Sequence, residues 1–127
     1  MTENAGSFAE RVDAIEAAYE YMLAYAAQGR TDEPTGPGHI RDFMTKAATA
    51  LDGIAPAARA ACPAARTSAA NGWIEVLADD ARKSVAAFRL LLACPAITSQ
   101  MVDNLNGSIH LRALLTDLFV IDEALKG

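Results

Sequence analysis

Apolar side chains along this 127-residue chain recur three and four positions apart, in alternation, at both of its ends. Phe8, Val12, Ile15, Tyr19, Met22 and Ala26 keep that spacing early, and Leu111, Leu114, Leu118, Ile121 and Leu125 keep it late. Such spacing lays side chains on one narrow stripe of a helix, the pattern of a bundle seam. No stretch alternates at period two with β-branched residues, so no sheet is expected.

The punctuation around these stripes predicts four main helices, at about 8–28, 39–52, 73–93 and 98–126. Ser7 followed by Glu10 has the spacing of a capping box, and Gly29 supplies a left-handed stop. Residues 29–38, with two prolines and three glycines, form a loop. Ile40, Phe43, Met44, Ala47 and Leu51 face inward on the second helix, which Gly53 ends. Residues 54–72 are rich in alanine and carry Pro56 and Pro63. They read as one or two short helical turns, whose Arg59 and Arg66 can fold against the acidic first helix.

The third helix starts near Gly72 and places Glu75 in its first turn, where a carboxylate favours the dipole. Ile74, Leu77, Ala81, Val85, Phe88 and Leu92 make its stripe. Leu90 and Leu91 widen that stripe late, as expected of an end buried on more than one side. Over 98–126, Met101, Leu105, Ile109 and Leu111 keep an apolar side. The segment therefore reads as one helix that tolerates Gly107 at about 1 kcal/mol, in preference to a split capped by Ser108. The fold class is all-α: a single domain over 1–127, an antiparallel bundle of four main helices. Residues 1–6 form a flexible N-terminus, and the 54–72 crossover has room for one short extra helix.

Composition narrows the function classes. Hydrophobic residues make up 52% of the chain but aromatic ones only 6%, so much of the apolar surface is small and lets helices approach closely. The net charge of -5 is concentrated early, with seven acids against Arg11 and Arg30 in residues 1–34. An acidic face without a basic cluster is a poor match for phosphate backbones, so no nucleic-acid partner is expected. No basic stretch followed by an apolar run opens the sequence, and no apolar run approaches the roughly 20 residues of a membrane span. A cytoplasmic location with reduced cysteines and no membrane partner follows as the expectation.

Candidate chemistry is sparse. Ala-Cys-Pro-Ala occurs at 61–64 and again at 93–96. Each Cys-Pro pair resembles a haem-regulatory motif, which implies a thiolate as axial ligand and a haem-sensing role. The residues themselves favour helix punctuation by proline beside a small buried cysteine, and no cofactor is expected. The two histidines, His39 and His110, lack a Glu three positions earlier, which speaks against a di-iron carboxylate bundle. Cys62 and Cys94 stand alone in their segments, too isolated for a zinc site.

Asp103, Asn106 and His110 lie broadly on one polar side with Asp117 and form the candidate polar cluster. A mid-helix histidine resembles that of four-helix phosphotransfer domains, but the Lys and Gly that follow theirs are replaced here by Leu111, Arg112, Ala113 and Leu114. Adjacent acids such as Asp79 and Asp80 read as solvated positions.

The remaining signal is surplus apolar periodicity. A second stripe on the first helix (Ala14, Ala18, Tyr21, Tyr25) and the broad 111–125 face exceed what a small core needs. Tyr21, Tyr25, Leu115 and Phe119 are the candidate interface. The expected function is a non-enzymatic accessory or regulatory bundle acting as a homo-oligomer, a dimer by preference, with a protein partner. The alternatives are a small-molecule or cofactor sensor, haem included, with a pocket between helices lined by Phe43, Met44, Trp73, Phe88 and Met101, and a His-based phosphotransfer bundle centred on His110.

Overall fold

The computed structural model describes residues 6–126. They form α1 (Phe8–Ala27), α2 (Ile40–Leu51), α3 (Ile54–Ala61), α4 (Thr67–Leu92), α5 (Ser99–Asn106) and α6 (Ile109–Lys126), with a 3-10 turn over Ala64–Arg66. No strand occurs among the described residues. α1 starts where its capping residues place it. The Ser7 hydroxyl accepts from the Glu10 N–H at 3.2 Å, and the Glu10 carboxylate accepts from the Ser7 N–H at 2.8 Å. These bonds hold the Glu10 carboxyl below its usual range, the backbone bond more than the hydroxyl. Gly29, at φ 64°, turns the chain out of the helix.

Cross-helix bonds fix the directions. Arg11, early in α1, donates to the carbonyls of Ala50 and Asp52 at the far end of α2, at 3.0 and 2.6 Å. Tyr21, late in α1, stacks on Phe43 early in α2, with ring centroids 4.3 Å apart. The two helices are therefore antiparallel. α4 and α6 are antiparallel by the same logic: Arg66 reaches the Ala124 carbonyl, Trp73 Nε1 reaches that of Asp117, and Ser84 lies against that of His110. α5 returns along α1, with Ser99 Oγ donating to the Tyr25 carbonyl and Asn106 Nδ2 to that of Met22. α4 also packs on α2 and α3. One core joins all six helices, with Met22, Met44, Leu77, Phe88, Leu114 and Leu118 among its fully buried side chains.

Several sequence expectations need correction. Segment 98–126 is two helices. Asn106 turns its amide inward to α1, Gly107 ends α5, and the Ser108 hydroxyl accepts from the Leu111 N–H to cap α6. Asn104, Asn106 and Gly107 are weak helix formers, and with a ready cap they outweigh apolar continuity here. α4 begins at Thr67 rather than near 72, because exposed Asn71 and Gly72 are carried inside a long helix at a tolerable cost of about 1 kcal/mol. Glu75 thus sits in the third turn, where it pairs with Arg59 at 2.7 Å.

Arg59 and Arg66 accordingly bond to α4 and α6 and not to the acidic α1. Leu90 is 68% exposed, since it lies 200° around the helix from buried Phe88. Of the N-terminal arm expected to be flexible, residues 1–5 lie outside the described residues. The Gly6 carbonyl accepts from Arg11 Nε at 2.8 Å.

Candidate functional site

The four side chains expected to form an interface part company in the structure. Tyr25 is 1% exposed, with its hydroxyl donating to the Ile97 carbonyl. Leu115 is buried at the core edge. Tyr21 is half-buried between Tyr25 and Phe43, stacked on both. Ala18, from the same second stripe, is 1% exposed. This stripe is internal, because α1 is covered by α2 on one side and α5 on another. Tyr21, Tyr25 and Leu115 are therefore packing residues.

Phe119 differs. It is 56% exposed, and on the same outward side of α6 Ile109 is 74% and Val120 48% exposed. The opposite side of α6 carries Leu111, Leu114, Leu118 and Ile121, all buried. Ile109 continues the apolar side of Met101 and Leu105 in the sequence, and the helix break removes it from that side. Once α6 starts afresh at Ile109, its register is set by Leu114 and Leu118, and Ile109 falls outside. The legible signal was the recurrence of Ile109, Ala113, Thr116 and Val120 at spacings of four, three and four, opposite the leucine row.

The polar cluster also separates. Asp103 is exposed near the end of α5, and His110 is exposed as the second residue of α6. Asn106 is 9% exposed and turned away from both, its amide on the Met22 carbonyl and its Oδ1 buried without a donor. No hydrogen bond joins the three among the described residues. The mid-helix placement behind the phosphotransfer resemblance is absent for His110.

Asp117, expected on that polar side, is 4% exposed and faces α4. Its backbone carbonyl accepts from Trp73 Nε1 at 3.0 Å, while its Oδ2 is buried with no donor against it. Burial first, and then the adjacent Asp80 through a shared proton and its negative charge, together raise its carboxyl to about 7. Asp80, read as solvated, is thus half-buried against a second acid. The pair can hold a proton between two helices. No group of three metal-ligating side chains gathers among the described residues.

The five residues proposed to line a pocket are dispersed. Met44 and Phe88 fill the core, Phe43 stacks on Tyr21, and Met101 lies on α5. Trp73 lines a mostly apolar groove of about 210 Å³ with Cys62, Ala70, Val120 and Leu125. Both cysteines are free and half-buried where helices end, Cys62 closing α3 and Cys94 just after α4. Their prolines thus act as punctuation. No helix among the described residues is long and apolar enough to cross a membrane. No family model, curated protein or solved structure matches the chain.

Proposed function

We propose that this protein is a non-enzymatic helical accessory or regulatory factor that works by self-association, as a dimer, through the outward face of α6. One observation carries the reading: Phe119, Ile109 and Val120 stand exposed together on a helix whose other face already fills the core. Burying them against a second surface takes nothing from the protomer. Each large apolar side chain removed from water is worth about 1.5–3 kcal/mol, enough in combination to support a modest dimer.

The unpaired thiols of Cys62 and Cys94 suit a reducing compartment, and the cytoplasm is the proposed location. Light scattering on the purified chain at tens of micromolar tests the reading. The expected mass is twice the 13.4 kDa of the protomer. A protomer mass at every concentration would overturn it.

A further inference from the structure

The outward face of α6 also carries two exposed charges of opposite sign, Arg112 and Glu123. Arg112, Thr116, Phe119 and Glu123 follow one another at spacings of four, three and four, the seam of a two-helix pairing, and all four are exposed. Arg112 and Glu123 close the two ends of this seam with opposite sign, about 16 Å apart along the axis. Neither side chain forms an ion pair among the described residues, whereas the neighbouring Asp122 is paired with Lys126 at 3.4 Å. The seam is therefore complementary to itself, but only when reversed. Two copies side by side in the same direction would set Arg112 on Arg112 and Glu123 on Glu123.

Building on the self-association reading, we propose that a second copy of this chain docks antiparallel along α6, Arg112 of each protomer on Glu123 of the other, with Phe119 of both flanking the two-fold axis. A single register satisfies the whole seam. An axis crossing α6 midway between Thr116 and Phe119 sets Arg112 opposite Glu123, Thr116 opposite Phe119, and Ile109 opposite the aliphatic stem of Lys126. The two ion pairs flank an apolar centre and are formed twice by symmetry, so they specify orientation while Phe119 and Ile109 supply the burial.

Charge reversal separates this geometry from association in general. Arg112→Glu and Glu123→Arg are each expected to weaken the dimer at least tenfold, read by sedimentation at low salt. Circular dichroism and the protomer's thermal midpoint should stay at wild-type values, because both positions are exposed. Mixing the two single variants should restore a heterodimer, since each then meets an opposite charge at both ends of the seam. The chain carrying both reversals should return to within a few fold of wild type. A wild-type dimer that neither reversal weakens, or whose mixed variants stay apart, overturns the antiparallel register and leaves self-association standing. A wild-type chain that never leaves the protomer mass overturns both.

Discussion

The second stripe of α1 and the outward face of α6 look alike in sequence, each an apolar row beyond what one core seam requires. In the structure they have opposite fates. α1 lies between α2 and α5, so Ala18 and Tyr25 are buried and Tyr21 stacks on Phe43. α6 leans on α4 with little else against it, so Phe119, Ile109 and Val120 remain in solvent. An extra apolar row is thus an interface candidate only where the chain has no second helix left to cover it. Neighbour number separates the two faces, and hydrophobicity alone does not.

The sharpest way to break the comparison is to truncate the absorbed row. Tyr25→Ala removes a fully buried ring and its bond to the Ile97 carbonyl. It should cost about 4 kcal/mol in denaturant unfolding at protomer concentrations. A loss below about 1 kcal/mol would mean that this row is not core.

The inner face of α6 offers the next largest effect. The folded-state pKa of Asp117 lies above its unfolded value, so the native state binds the extra proton between roughly pH 4 and 7. Stability from this group is full below about pH 4 and is lost as pH rises through 7. Asp117→Asn keeps the shape, removes the charge and lets an amide donate to Asp80. The variant should be more stable than wild type by on the order of 2 kcal/mol near pH 8 and similar near pH 4. Wild-type stability that stays flat from about pH 5 to 8 would contradict the buried pair.

Much of this was open to sequence reasoning, and the failures share a cause. The buried stripes of α1 and α6 are the predicted ones because period alone determines which side faces a core. The Ser7–Glu10 box and Gly29 stop are also local, needing only neighbours three or four residues away. Tyr25, Leu115 and Asp117 were misplaced because their burial depends on which helix lies beside them, a long-range fact. The split at Gly107 was partly legible, since Gly107 and the Ser108 cap are local. The bond from Asn106 to the Met22 carbonyl, 84 residues earlier in the chain, adds weight that no window of neighbours reveals.

A smaller effect tests what keeps α1 covered. Glu33 accepts from Nε and Nη2 of Arg41 and from the Ile97 N–H at 2.8 Å, while Arg41 also reaches the carbonyls of Leu92 and Cys94. This knot holds the turn that presents Ile97 to Tyr25. Burial pushes the Glu33 carboxyl up, but the bonds from Arg41 and Ile97 outweigh it and leave it below its usual value. The stabilisation is therefore present above the unfolded pKa and lost as pH falls through the lower folded one. Glu33→Gln should cost about 1.5 kcal/mol near neutral pH and less near pH 3, measured by paired urea titrations. An equal cost at both values would show that the carboxylate charge is irrelevant to the turn.

The smallest change in protomer stability should come from Phe119→Ala, and it completes the comparison with Tyr25. Both are aromatic residues on an apolar row, and truncation deletes a similar ring from each. Phe119 is 56% exposed in the protomer against 1% for Tyr25, so little packing is lost with it. Its unfolding free energy, measured dilute enough to keep the protein monomeric, should shift by less than about 0.5 kcal/mol. At high concentration the same variant should lose the mass increase expected of wild type, because the ring sits at the centre of the proposed seam. The two tyrosine and phenylalanine variants thus dissociate folding from association in opposite senses. A Phe119→Ala chain that unfolds as easily as Tyr25→Ala would place this ring in the core and erase the distinction between the two faces.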